Sequence, residues 1–405
     1  MLVVGLGSGS SSAQQEAKGP AFQFNPSIGL GYSITDNVSY LDDPTASTSS
    51  DSSAQLTVNL PTERRFRTGT WDTEYLGYWT RYDTNAALDS GSHYLDTELE
   101  LKATRRSTFR VNGVYARTQQ QAVPRETPDI ATGDELFLGE RQEVRSYGLG
   151  LGYGLDIGPT WTWDTSVSGA QANASTIDGY QDGTSGLARQ DTKAFRARTR
   201  FERERSQRFT LGGEYQYSRY DLEAQGIEDV HAMSLTWERK IGPKSALAGE
   251  LGGYHRSRDA GDETPTYQAD GALVAISYSY TPKTGLTARA GFSLVPTSGG
   301  TLQGTSTNRT IQAFLTGDHE NRRLAWEVGG YQSVREASDE TVPTLEVLSL
   351  TASVEHAIQE VVGLRLKGNW ADQTSDVEGY AEGQYYSVTL SCVWYPLGRT
   401  HLSGG

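Results

Sequence analysis

Residues 143–169 read EVRSYGLGLGYGLDIGPTWTWDTSVSG. From Tyr147 every second residue is large and apolar (Tyr147, Leu149, Leu151, Tyr153, Leu155), and between them stand Ser146, Gly148, Gly150, Gly152 and Gly154. After the break IGPT, Trp161, Trp163, Thr165 and Val167 alternate with Thr162, Asp164 and Ser166. A period of two specifies extended strands, because successive side chains point to opposite faces. In a soluble sandwich the face away from the core carries Lys, Glu and Thr, and a row of glycines there weakens the strand for no return. A strand with lipid on one face and a wide aqueous interior on the other needs no bulk inside. The fold class this predicts is all-β, a transmembrane antiparallel β-barrel.

Composition agrees. Only 36% of the 405 residues are hydrophobic, where a soluble α/β enzyme has nearer half. A barrel escapes the shortfall, since only its lipid-facing alternate positions need be apolar. A helical membrane protein is excluded, because no run of about 18 apolar residues exists. With 50 acidic against 36 basic residues the net charge is −14, and with no contiguous basic patch this argues against a nucleic-acid partner. A single cysteine, Cys392, leaves no disulfide framework, no cysteine-rich metal site and no covalent haem attachment.

The start, MLVVGLGSGSSSAQQ, reads as a short apolar stretch followed by small residues, with Ser11 and Ala13 spaced as a signal-peptidase site requires. The expected organisation is a signal-peptide remnant over 1–13, a tail over 14–21, one transmembrane barrel over 22–397 and a C-terminal tail over 398–405. Within the barrel, eighteen alternating segments recur about every 20 residues, the spacing of strands of 10 to 14 residues. The first spans 22–34 and the last 384–396. Short connections such as IGPT and TPKTG alternate with long ones such as RSRDAGDETPTY and LEAQGIED. An even count with alternating connection lengths is the outer-membrane pattern, short turns on the periplasmic rim and long loops outside. The longest connection, 119–142, is a candidate constriction loop. The Asp-rich loops lack the spacing of a calcium-binding loop and read as solvated acidic surface.

Single strands set the facing. In KAFRARTRFERE, Phe195, Ala197, Thr199 and Phe201 oppose Arg196, Arg198, Arg200 and Glu202. An Arg or Lys on the lipid face at mid-bilayer costs roughly 2–4 kcal/mol, so these charges point inward. The last strand places Tyr386, Val388, Leu390, Cys392 and Trp394 outward, which makes Cys392 an apolar filler without a basic neighbour to activate it. Aromatics near strand ends, as at Tyr78, Trp79, Tyr82, Tyr94, Tyr217, Tyr220, Tyr278 and Tyr280, predict interfacial girdles.

No catalytic, nucleotide-binding or metal signature is present: GLGLGYG lies within a strand, and the six histidines are scattered. The reading is a non-enzymatic chain without cofactors. The candidate functional feature is the lumen. Its lining combines Arg110, Arg196, Arg198, Arg200, Arg289, Arg365 and Lys367 with Asp72, Glu74, Asp96, Glu98, Glu100, Glu214, Glu238, Glu250 and Glu327. Rows of opposite sign set a transverse field that holds hydrated solutes weakly at many places. The same charges can also serve only to pair across the lumen, and both readings stand. Inward Tyr78, Tyr331 and Tyr385 are candidates to stack on sugar rings.

The opening FNPSIGLGYSITDNVSY, an Asp/Ser loop and SAQLTVNLP, covering residues 22–63, resemble the first hairpin of the outer-membrane β-barrel porins found with bacterial exopolysaccharide export systems. The chain departs from common barrel practice in ending VWYPLGRTHLSGG rather than on a terminal Phe. The resemblance implies an outer-membrane channel exporting a hydrophilic polymer, with outer-membrane lipid, a periplasmic polysaccharide export protein and polysaccharide as partners. It carries over no functional residue. The alternatives are a general or solute-specific diffusion porin, and a barrel sleeve around a periplasmic multihaem electron carrier.

Overall fold

A computed structural model describes residues 22–36, 50–84, 86, 89–118, 142–176, 191–222, 226–259, 267–283, 285–298, 305–319, 323–337, 344–359, 361–376 and 383–397. The expected signal segment, both tails and nearly all of the candidate constriction loop lie outside these residues, as does most of the Asp-rich loop after Arg258. The strands are β1 Phe22–Phe24, β2 Ser27–Asp36, β3 Asp51–Phe66, β4 Gly69–Tyr82, β5 Ser90–Lys102, β6 Ser107–Thr118 and β7 Gln142–Asp156. They continue with β8 Trp161–Thr176, β9 Thr192–Ser206, β10 Phe209–Leu222, β11 Gly226–Gly242, β12 Ser245–Arg258 and β13 Tyr267–Lys283. The rest are β14 Leu286–Ser298, β15 Thr305–His319, β16 Leu324–Ala337, β17 Leu345–Gln359, β18 Val362–Ser375 and β19 Gly383–Trp394.

From β2 onward each strand pairs antiparallel with the next, and β19 returns to β2 from Tyr386↔Asp36 to Trp394↔Ile28. The sheet is thereby a closed barrel of eighteen strands, each hydrogen-bonded to a neighbour on both sides. β1 is a continuation of β2 along β3: Phe24↔Thr62 and Ser27↔Asn59 share one register. The segment expected as one strand is divided where Pro26, which has no amide hydrogen, interrupts the pairing.

Two further expectations change. Strands β3–β19 run 12 to 17 residues: about half keep to the expected 10 to 14, and β3, β7, β8, β9, β11, β13, β15 and β17 exceed it, where the ladders continue past the span that lipid requires. The connection expected as LEAQGIED shrinks to residues 223–225, since β10 and β11 pair to Leu222↔Gly226.

Register fixes the faces. Leu30 lies opposite Leu56, Leu56 opposite Trp79 and Tyr115 opposite Tyr147, so one parity of every strand is apolar. These side chains form the exposed outer face: Leu149, Leu235, Leu251, Ile311, Leu350 and Leu390 are all more than half exposed. Aromatics flank that belt. Phe66, Trp71, Phe109, Trp161 and Trp394 lie toward the short-turn rim, and Tyr32, Tyr115, Tyr147, Tyr215 and Tyr386 toward the rim of the long connections. Of the eight residues expected in the girdles, Trp79, Tyr217, Tyr278 and Tyr280 have the outward parity. Tyr78, Tyr82, Tyr94 and Tyr220 have the inward one; nearness to a strand end is no guide to facing when the period is two. Outward Gly249 and Gly317 are covered by the rings of Trp237 and Trp326, whose atoms come within 2.1 and 2.3 Å of where a Cβ would stand.

Candidate functional site: the inner wall

The glycine row of β7 faces inward, and its neighbours use the space. Arg110 on β6 lies opposite Gly152, and Asp164 on β8 opposite Gly154. The Arg110 guanidinium donates to Asp164 Oδ1 at 3.2 Å, across β7, and to Glu100 on β5 at 3.3 Å. A Cβ on Gly154 would lie 2.9 Å from the Asp164 carboxylate, and one on Gly150 would lie 2.1 Å from the Asn112 side-chain oxygen. Bare backbone on β7 is what lets side chains from both flanking strands lie over it.

All sixteen charged residues named above have the inward parity of their strands. Asp72 and Glu74 stand on β4, Asp96, Glu98 and Glu100 on β5, and Arg110 on β6. Arg196, Arg198 and Arg200 stand on β9, followed by Glu214 on β10, Glu238 on β11 and Glu250 on β12. Arg289 is on β14, Glu327 on β16, and Arg365 and Lys367 on β18.

Several are drawn together. Arg198 grips Glu214 with two hydrogen bonds, both 2.6 Å, a bidentate geometry that also fixes orientation. Arg200 pairs with Glu202, Glu250 accepts from Ser234 at 2.5 Å, and Arg365 pairs with Glu355 at 2.8 Å. Others are set against their like: Asp72 lies directly opposite Glu98, and Glu74 opposite Asp96, arrangements that destabilise a sheet. Glu238, Arg289, Glu327 and Lys367 are dispersed around the wall. No ion pair among the described residues involves Arg196 or Lys367.

A second charged group escaped the sequence reading. Glu228 on β11, fully buried, pairs with Arg256 at 3.2 Å and Arg258 at 3.1 Å, both on β12. Arg256 also lies over the ring of Tyr254, its guanidinium carbon 5.4 Å from the centroid. On β15 and β16, Arg335 donates to Ser306 Oγ at 2.7 Å and Ser333 to Asn308 Oδ1 at 2.6 Å. The signal was present: Tyr254, Arg256 and Arg258 keep the parity of inward Glu250, but the stretch RSRDAG reads as loop.

These residues belong to a band of buried inward positions at the long-connection end, from Ser33 and Ser53 through Ser218 to Val347 and Gln373. Lower on the wall, Arg110, Arg198 and Arg365 retain a quarter to a third of their exposure. Tyr331, expected to offer its ring to the lumen, is buried in the upper band and is not open to a passing sugar. Outward Cys392 is exposed, between Leu364 and Leu30.

A closed antiparallel barrel of even strand number, apolar outside between aromatic bands and polar within, is a transmembrane β-barrel of the outer-membrane type. The outer membrane is its location.

No family model matches the sequence, and no curated protein matches it. Solved structures resemble it in architecture. Pseudomonas aeruginosa OpdQ aligns over 92% of this chain and 97% of its own, at 13% identity and TM-score 0.49. Pseudomonas aeruginosa OccK2 (OpdF) aligns over 93% and 98%, at 12% identity and TM-score 0.49. A BenF-like porin from Pseudomonas fluorescens Pf-5 aligns over 92% and 98%, at 12% identity and TM-score 0.46.

Proposed function

We propose that the barrel is a diffusion channel for small hydrophilic, charged solutes. The observation that carries this is the part-exposed charged wall of its lower interior. Charges at lipid depth persist where water or a counter-charge meets them. Here Arg198, Arg110 and Arg365 have counter-charges and yet remain part-exposed, while Asp72 opposes Glu98 at the expense of the sheet. A carboxylate-rich wall at β4–β5 and the arginines of β9 divide the lumen electrostatically, which orders hydrated ions and zwitterions without binding them tightly.

The wider reading, export of an exopolysaccharide with a periplasmic export protein as partner, keeps the support of the opening hairpin over residues 22–63. The buried band at the upper end favours small solutes over a polymer. One experiment separates the two: single-channel recording of the refolded barrel in a planar bilayer, with and without anionic polysaccharide on one side. Stepwise conductance that polymer leaves unchanged supports diffusion of small solutes, and side-specific block by polymer supports export. A folded barrel that never conducts overturns both.

A further inference from the structure

Among the described residues, one ladder of the barrel wall stops short of the ends of both its strands. β13 and β14 pair from Lys283↔Leu286 to Val274↔Leu294 and no further. Yet β13 continues against β12 to Tyr267, and β14 continues against β15 to Ser298. Extending the register sets Ala272 opposite Pro296 and Asp270 opposite Ser298.

The direction of the amides explains the stop. The Thr281 amide donates to Lys244, on the β12 side, so even-numbered residues of β13 address β14. The Gly285 carbonyl accepts from Asp318, on the β15 side, so even-numbered residues of β14 address β13. Pro296 therefore occupies a position whose amide hydrogen would have bonded β13, and proline has none. From Lys283 to Val274 is 283 − 274 = 9 residues. At about 3.3 Å each and ~40° tilt that is roughly 23 Å, close to the ~25 Å apolar band of such barrels. The ladder ends where lipid ends, at a height where water can satisfy the freed backbone.

Above that point β14 and β15 lean into the barrel. Tyr254 on β12 points inward, its ring 2.3 Å from where a Cβ on Gly271 of β13 would be. Its hydroxyl lies 3.0 Å from Thr307 Oγ1 on β15, and Arg256 donates to the Ser306 carbonyl at 3.3 Å. Three strand spacings, roughly 14 Å in a continuous sheet, should separate β12 from β15. Thr307 also has the outward parity of β15. An inward-pointing tyrosine meets it only when the upper ends of β14 and β15 lie inside the wall formed by β12 and β13.

We propose that these ends form a lid over the mouth of the channel, hinged at Leu294–Pro296 and latched to β12 through Tyr254 and Arg256. Swinging outward extends the β13–β14 ladder and widens the mouth. The inference rests on the channel reading above.

The test is the double variant Asp270→Cys/Ser298→Cys in a Cys392→Ser background. In the extended ladder these residues form a hydrogen-bonded pair with Cα atoms about 5.5 Å apart, within disulfide range. Oxidation of the folded barrel in vesicles is expected to form the disulfide and raise single-channel conductance, and reduction to reverse it. Tyr254→Phe/Thr307→Val, which keeps the ring and loses the hydrogen bond, is expected to lengthen open dwell times several-fold. If no disulfide forms and the unlatched variant conducts as the parent does, the lid is wrong and the channel stands. A disulfide in a barrel that never conducts removes the channel reading, and the lid with it.

Discussion

Arg110 and Asp164 meet across an intervening strand, Nη1 to Oδ1 3.2 Å, because β7 presents glycine beneath them. The relationship links sequence to interior shape. A row of residues without side chains deepens one side of the lumen, and the flanking strands supply the charges that line the depression.

Filling that depression tests the link. Gly154→Val places branched carbon where a Cβ already falls 2.9 Å from the Asp164 carboxylate, so it displaces Asp164 and breaks its contact with Arg110. Both side chains are part-exposed, 26% and 40%, so the ion pair itself contributes at most about 1 kcal/mol. A double-mutant cycle with Arg110→Ala and Asp164→Ala, read by denaturant unfolding in vesicles, is expected to give a coupling below that value. Gly154→Val is expected to lower single-channel conductance through added bulk. A coupling of several kcal/mol would mean that the pair is structural.

The opposed carboxylates of β4 and β5 give a prediction with two signs. Replacing Asp72 by Asn and Glu98 by Gln removes a directly opposed like-charged pair, so stability is expected to rise by a few tenths of a kcal/mol or more. The reversal potential under a salt gradient is expected to move away from cations. Arg196→Ala with Lys367→Ala is expected to move it the opposite way. Gained stability with lost selectivity identifies the pair as kept for permeation; unchanged selectivity assigns it no such role.

How much of this was legible beforehand follows from the period of the strands. A two-residue period carries the facing of Phe195 against Arg196, or Leu366 against Lys367, in the sequence itself, and register only has to avoid a one-residue slip. Strand ends were less legible. The alternation of Tyr254, Arg256 and Arg258 runs into an Asp- and Gly-rich segment, so polar residues that remain in the ladder read as loop. The seam at Pro296 was not legible, because proline is tolerated on an edge strand and sequence does not tell which neighbour an amide addresses. Nor does it tell that serines at 33, 53 and 218 are buried, which is a property of what surrounds them.

Acid is expected to loosen the rim near Asp83. Its carboxylate accepts from the hydroxyls of Ser52 and Tyr32, each at 2.6 Å, and these bonds, Ser52's first, hold its pKa below the ordinary carboxylate value. A depressed folded pKa stabilises above the unfolded value, and the contribution is lost as pH falls through the folded one. Asp83→Asn, which resembles the protonated carboxyl, is expected to lower stability slightly at neutral pH and leave it unchanged in acid, so that the acid limb flattens. An unaltered acid limb would show that the hydroxyl contacts do not form in the membrane-embedded protein.

Consecutive residues on one strand provide the sharpest test of facing. Ile276 is exposed on the apolar belt, and Ser277 faces inward between the small residues Ala248 and Gly291. Ile276→Arg places a cation against lipid, at a cost of up to about 2–4 kcal/mol near the midplane. Ser277→Arg places the same group in the lumen, where water solvates it. Denaturant unfolding in vesicles is therefore expected to separate the two variants by at least 1 kcal/mol, although the substitutions stand one residue apart. The inner variant is expected to lower conductance, while the outer one, once folded, leaves it unchanged. The reverse order would mean that β13 is registered one residue away from the pairing described, and every assignment of lumen and lipid on that strand would exchange; equal destabilisation would mean that the two faces do not differ as lipid and water.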